Sequence, residues 1–444
     1  MSQLSWRQFG GGLSPMRLTV LLFAACAVVY ALSPQGKPQP DLLQWGEVTR
    51  VALNVVQRGT FADPFQAMPT GPTAHTAPAY VLLFAGVAKL SGTGRTGASV
   101  LWALNIGFLA VQLALLPILS ERLGLGVWPG LLAAGLAALI QPYRILIQWE
   151  SIFTGALLVV LCILTVELFR APRDWRHSAL VGFVWGVAIL ANPQCVLLLL
   201  VWPFFAASEN SGEQWRKASR VTLVVLVGAV VTCLPWLIRN YQSFHAVFFI
   251  RDNFGLELYS SNNPCARPTT LANIESGCHK QTHPNPNPEI AGQIIDKGEV
   301  QFNRDRLRMA LDWIEAHPRA FGWLTARRFV RYWFPYLTAY RYAIPMGIVT
   351  VFSLVGLAMM FRNRNQRYAF WVLSSALLIY PLVHYIVQFE ARYRYPILWA
   401  TFVPAAYAIL EMIRCLQGVS VERAERAVLQ TVSGGAGSRS GAAE

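Results

Sequence analysis

Charge is scarce in this chain. Only 14% of its 444 residues are Asp, Glu, Lys or Arg, and the mean hydropathy is +0.39. An ordinary soluble domain carries about 25% charged residues. The shortage excludes a typical soluble enzyme and implies a multi-span membrane protein. The net charge of +14 does not point to nucleic acid, because much of it lies in short loops between apolar runs. A cleavable leader is also lacking. The apolar run 18–33 follows Arg7 and Arg17, but no small-residue cleavage site comes after it. It is read as a first span with a cytoplasmic N-terminus. Internal repeats and charges at span centres are missing too, which weighs against the rival reading of a transporter or lipid flippase.

What is present is a series of apolar runs at 18–33, 77–90, 98–119, 127–140, 152–166, 179–191, 195–207, 221–238, 343–361, 369–387 and 397–410. The expected fold is an all-α polytopic bundle of ten to twelve spans, although several runs are shorter than the roughly 17–25 residues of an ordinary spanning helix. Basic clusters at Arg170/Arg173/Arg176, Arg216/Lys217/Arg220 and Arg362/Arg364/Arg367 set the orientation. With all three cytoplasmic, 239–341 lies outside and the C-terminus inside. Five runs then separate a cytoplasmic N-terminus from Arg170, which is the wrong parity, so one segment between 77 and 166 fails to cross or hides a second crossing. The chain divides into a membrane domain over 1–415, with outer segments 34–76 and 239–341, and a tail over 416–444 whose end is expected to be disordered. Cys26, Cys162, Cys195, Cys233 and Cys415 lie in or beside apolar runs and are read as packing residues.

The polar stretch 40–80 organises the rest. Asp41 with Gln44 makes a capping-box pattern, and Gly59 supplies a stop. Between them Trp45, Val48, Val51, Ala52 and Val55 share one helical face, while Glu47, Arg50, Asn54 and Arg58 share the other. Such a helix is expected to lie along the bilayer surface with Glu47 facing the aqueous side. Farther on, 260–288 reads as irregular loop. A helix then runs from Phe302 to near Pro318, and a second from Ala320 to Trp333 carries Arg327, Arg328 and Arg331 among aromatics, as suits a membrane interface.

Three stretches carry a resemblance. After the first span come the acids Asp41 and Glu47, the turn Gly59-Thr60-Phe61 and PTAHTAPAY leading into the second span. PWLIRNY at 235–241 is followed by FIRDNFGLELYSSNN. EARYRYP at 390–396 leads into a late span, and WIEAHP at 313–318 is a further similar stretch. Together they resemble the polytopic glycosyltransferases of the GT-C superfamily, the class containing protein O-mannosyltransferases and lipid A aminoarabinose transferases. The resemblance covers 18 to about 413. It departs in two places: Ala77 replaces the first proline of a PP pair, and Asp41 and Glu47 stand six apart rather than as a tight pair.

The resemblance implies transfer of a sugar from a polyprenyl-phosphate donor to an envelope acceptor, whether protein, lipid or glycan, on the outer face of a bacterial inner membrane. Glu47 is the first choice for the base, with Asp63 and Asp41 behind it. Arg239 is the first choice for the donor phosphate, followed by Arg392 and Arg394. His75, Glu150, Asn240, His384 and Glu390 are cavity-lining residues. A divalent metal is left open. Cys265 and Cys278 are expected to form a disulfide that ties the outer loop in an oxidising compartment, with a zinc set of Cys265, Cys278, His279 and His283 as the alternative. A non-catalytic member of the same fold is the other alternative, since the acids are loosely spaced.

Overall fold

The structure is a computed structural model that describes residues 15–33, 46–170, 174–208, 213–335 and 342–436. It is helical throughout. In chain order the helices are α1 Pro15–Ala31, α2 Glu47–Arg58, α3 Pro78–Ser91, α4 Arg95–Ala114, α5 Leu116–Arg122, α6 Val127–Ile140, α7 Ser151–Arg170, α8 Trp175–Ala191, α9 Cys195–Ser208 and α10 Glu213–Phe244. After these come α11 Phe254–Ser261, α12 Thr270–Glu275, α13 Cys278–Thr282, α14 Pro288–Lys297, α15 Glu299–Ala316, α16 Pro318–Trp333, α17 Ala343–Arg362, α18 Arg367–Leu378, α19 Leu382–Ile386 and α20 Leu398–Ala436. Every apolar run of the sequence falls on a helix. Among the described residues six stretches are long and apolar enough to cross a membrane, including 95–122, 151–169 and 215–244.

Small residues let the spans approach. A Cβ on Gly182 of α8 would stand 2.4 Å from the Val225 carbonyl oxygen of α10, and one on Gly356 of α17 would stand 2.0 Å from the Pro404 carbonyl oxygen of α20. In a bilayer, where apolar contact between helices gains little over lipid, close backbone approach of this kind drives association. The fully buried Trp185, Trp202 and Trp399 meet edge to face, with centroids 5.5 and 6.3 Å apart, and Trp202 Nε1 donates to Ser375 Oγ at 3.0 Å.

A second, smaller core positions the site. Phe65 from the first polar segment packs with Leu256, Ile290, Ile294 and Phe302 from the large one. Apolar burial thus joins residues more than 180 positions apart.

Three expectations need correction. The stretch 260–288 is irregular only in part: it holds the end of α11 and the short α12 and α13, with Asn side chains bonding backbone carbonyls beside them, Asn262 Nδ2 donating to Leu258 O and Asn273 Nδ2 to Arg267 O. Arg328 is fully buried rather than interfacial. It donates to Asn262 Oδ1, Ile386 O and Ser261 O, which are groups at the C-terminal ends of α11 and α19, where a cation is favoured. Cys415 is exposed, whereas the other four free cysteines are buried. The last helix runs on to Ala436, and 437–444, the end of the tail, lie outside the described residues. Asp41 and Gln44 also lie outside them, so the first polar helix is described only from Glu47.

Cys265 and Cys278 form a disulfide with their Cα atoms 5.6 Å apart. That settles the two readings of these cysteines: their sulfurs bond to each other and not to zinc. The bridge closes a short loop, and α13 carries the chain straight from Cys278 to His283. By chain entropy, cross-linking a loop near this length stabilises by about 3 kcal/mol. Reduction of the detergent-solubilised protein should therefore lower its melting temperature, and a Cys265→Ser/Cys278→Ser variant should melt at that lower temperature with or without reductant.

Candidate active site

α2 starts at Gly46, whose φ of 71° lies in the left-handed region, and Glu47 occupies its first turn, where a carboxylate is favoured by the helix dipole. The chain leaves α2 through Gly59, also left-handed at φ 67°, as the sequence implied. It then doubles back. Asp63 organises this turn: one carboxylate oxygen accepts the backbone N–H groups of Thr70 (3.0 Å) and Gly71 (2.8 Å), while the other faces Asn54 and Arg58, each at 3.4 Å. Asp63 is spent on holding the loop.

The loop delivers residues 73–75, and every backbone polar group in those three is bonded. Thr73 N donates to Phe61 O at 3.1 Å, and Ala74 O accepts from Asp252 N at 3.1 Å. Arg239 donates to Thr73 O at 2.8 Å, Glu299 Oε1 accepts Ala74 N at 2.6 Å, and Thr73 Oγ1 accepts His75 N at 3.0 Å. Arg251 Nε donates to His75 O at 2.8 Å. Glu299 Oε2 also accepts the Thr73 hydroxyl at 2.5 Å.

Held this way, His75 Nε2 sits 3.0 Å from Glu47 Oε2, and His283 Nε2 stands 3.8 Å from Glu47 Oε1. Phe65 meets both imidazoles edge to face at 5.0 and 6.0 Å, and His279 stacks on His283 at 4.6 Å. Burial pushes the Glu47 carboxyl up, but the His75 charge and hydrogen bond, with His283 and Arg251, outweigh it and bring it down to about 2. Burial works against a charged His75, and the Glu47 carboxylate overrides it and raises its pKa. Burial dominates at His283, lowering it to about 3, so this imidazole is neutral. Glu47 and His75 therefore form an ion pair.

The sign of its pH dependence follows. The lowered Glu47 contributes stability above its ordinary value of 4.5, lost as pH falls toward 2. The raised His75 contributes below its ordinary 6.5, lost as pH climbs through its raised value. The melting-temperature gap between wild type and Glu47→Gln should be widest between pH 4.5 and 6.5 and narrow on both sides.

Glu47 lines a cavity of about 140 Å³, whose wall also includes Trp149, Glu150, Arg251, Glu257, His384 and Arg392. His75 and His283 stand behind Glu47, outside the cavity lining. Arg392 sits over Trp149, its Cζ 3.5 Å from the ring centroid, with Nε 2.9 Å from Glu390 Oε2. That contact is an ion pair off the donor axis, since Nε makes no aligned hydrogen bond. Arg239 is not on the cavity. Its guanidinium is bound to Thr73 O and Phe61 O and sits among Phe61, Trp236 and Phe244. Arg394 is buried elsewhere, donating to Trp333 O and Thr350 Oγ1, and Asn240 Nδ2 donates to Ile250 O. Arg239→Ala should lower the melting temperature, as expected when buried carbonyls lose their donors at about 1–3 kcal/mol, and should shift donor saturation little.

Arg251 and Glu257 were passed over in the sequence as site residues, and His283 was considered only as a zinc ligand beside the cysteines. Arg251 and Glu257 lie inside FIRDNFGLELYSSNN, so the motif held them, but nothing local marks which of its polar groups turns inward. Glu47, His75 and His283 have their ligand atoms all within 4.8 Å of one another. One carboxylate and two imidazoles are a donor set that a divalent transition metal accepts.

No protein-family model matches the sequence, and no curated protein does. Solved structures do match. The Archaeoglobus fulgidus oligosaccharyltransferase tethered to an acceptor peptide with the NVT sequon superposes with a TM-score of 0.55 at 14% identity, over 90% of this chain and 50% of that one. The same organism's oligosaccharyltransferase AglB, complexed with an inhibitory peptide and a dolichol-phosphate, gives 0.54 at 16% identity over 93% and 54%. The Archaeoglobus enzyme with Zn and sulfate gives 0.52 at 15% over 93% and 51%. The chain spans about half the length of these proteins. Its helical arrangement is the membrane fold of these oligosaccharyltransferases.

Proposed function

We propose that this protein is an integral-membrane glycosyltransferase that moves a sugar from a polyprenyl-phosphate donor to an envelope acceptor, on the outer face of a bacterial inner membrane. The observation that carries the reading is one cavity holding an ionised carboxylate, Glu47, together with two guanidinium groups, Arg251 and Arg392. The fold supports it independently.

Arg251 and Arg392 would hold the donor phosphate, for which planar guanidinium forks are suited. The acceptor oxygen attacks the anomeric carbon, the bond from that carbon to the phosphate oxygen breaks, and polyprenyl phosphate leaves with the electron pair. The acceptor proton passes to Glu47. A carboxylate held at about 2 is a weak base toward a resting hydroxyl, so Glu47 first orients the hydroxyl by accepting its hydrogen bond. It takes the proton only as the new bond acidifies the oxygen.

A divalent ion held by Glu47, His75 and His283 would supply further positive charge beside the cavity. Its presence is tested by titrating metal-free protein with Mn²⁺ or Zn²⁺. Stoichiometric binding that His283→Ala abolishes supports the ion, and binding unaffected by that change removes the three residues as its ligands. The function itself is tested by mass spectrometry of envelope glycans, lipids and glycoproteins from cells with the protein, without it, and with Glu47→Gln. A sugar modification present only with the wild type is expected. Identical envelopes in all three would sink the reading.

A further inference from the structure

We propose that Glu150, Gln194 and His384 form a sugar-recognition subsite that takes the hydrogen-bond donors of one polyprenyl-phosphate-linked sugar ring; this rests on the donor reading above. The three side chains reach one cavity from separate places. Glu150 ends the segment before α7, Gln194 sits in the turn between α8 and α9, and His384 is on α19.

All three lack protein partners where partners are expected. Glu150 is only 9% exposed, yet among the described residues its carboxylate has no hydrogen bond and no ion pair. Gln194 Oε1 and His384 Nδ1 are buried without a hydrogen-bond partner, as is Oγ1 of Thr76 on the same cavity. Buried polar atoms in folded proteins are nearly always paired. Several unpaired ones converging on one cavity imply that their partner arrives with the ligand.

The chemistry of that partner is constrained. A carboxylate and an amide oxygen only accept, so the ligand must bring donors, which hydroxyl or amino groups on a sugar do. An anion is excluded beside Glu150. Arg251 and Arg392 on the same cavity demand one elsewhere on the ligand. Donors at one end and an anion at the other describe a sugar phosphate. The cavity volume of about 140 Å³ is of the order of one ring. The wall is preorganised: His384 stacks on Tyr393 at 4.3 Å, and Asn192 Oδ1 accepts the Gln194 backbone N–H at 3.1 Å.

The test measures binding of two kinds of probe to the full-length protein in detergent: undecaprenyl phosphate alone, and undecaprenyl phosphate bearing a single hexose, N-acetylhexosamine or pentose. Glu150→Gln should weaken the sugar-bearing probe that the wild type prefers by about tenfold, the scale of a lost charge-assisted hydrogen bond, and leave the bare carrier unchanged. Its melting temperature should hold or rise, because a buried carboxylate without a hydrogen bond has been replaced by a neutral amide. Gln194→Met should show the same selective loss. Equal loss of both probes, or a lower melting temperature with unchanged binding, would overturn the subsite. So would a wild type that binds bare carrier and prefers no sugar. A wild type that binds neither probe overturns the donor reading, and the subsite with it.

Discussion

Glu47→Gln should reduce sugar transfer by about 10²–10⁴-fold, the usual contribution of a positioned general base, while membrane level and donor binding stay close to wild type. Gln keeps the shape of the side chain and a hydrogen bond to His75, which is 3.0 Å away. It cannot take the acceptor proton. The variant also removes the charge that raises His75, so the imidazole behind it reverts toward neutrality. Transfer rates and donor affinity, measured separately on purified protein, distinguish this from misfolding. Asp63→Asn is the contrast. Its carboxylate gathers the N–H groups of Thr70 and Gly71 and does not reach the cavity. It should lose stability and keep the catalytic rate per folded molecule. A dead Asp63→Asn with a near-normal Glu47→Gln would transfer the base to Asp63.

Arg392→Ala should weaken binding of the lipid-phosphate donor by a factor corresponding to about 1.5–3 kcal/mol, or roughly 10- to 150-fold. The loss should be the same for bare polyprenyl phosphate as for a sugar-bearing one, because the contact is to phosphate. Arg392→Lys should recover only part. Its compact ammonium lacks the fork, and it cannot reproduce a guanidinium centred 3.5 Å over the Trp149 ring. The partner left behind, Glu390, is a third exposed, so the fold should tolerate its release. Donor saturation unchanged in the alanine variant would remove Arg392 from the phosphate site.

How much of this was legible beforehand depended on the range of the interaction. Apolar runs announce spans, and each run became helix, because twenty residues of local composition decide the matter. Gly59 announced the end of α2 for the same reason. Glu47, His384 and Glu150 were picked out and do meet at one cavity. The arginines were harder. Arg239, Arg392 and Arg394 are alike in the sequence, each beside aromatics at the edge of an apolar run. Only Arg392 faces the cavity. Arg239 is drawn to the carbonyls of Thr73 and Phe61, and Arg394 to those at the end of α16. Those acceptors stand far off in sequence, and no periodicity encodes them. His283 is a similar case: its role depends on a disulfide and on Glu47, more than 230 residues earlier.

The bonding of residues 73–75 bears on the order in which the protein comes together. The N–H of Ala74 has its acceptor on Glu299, 225 positions later, and the carbonyl of Thr73 has its donor on Arg239, 166 positions later. During synthesis the early spans emerge long before either. His75 therefore has no fixed position while the first half of the chain is inserting, and Glu47 has no settled imidazole beside it. The imidazole that pairs with Glu47 is thus held in place by the late-emerging α15 as well as by its own loop. A ribosome-bound chain stopped short of residue 299 should leave the 73–75 backbone open to amide exchange, and one extended past α15 should close it.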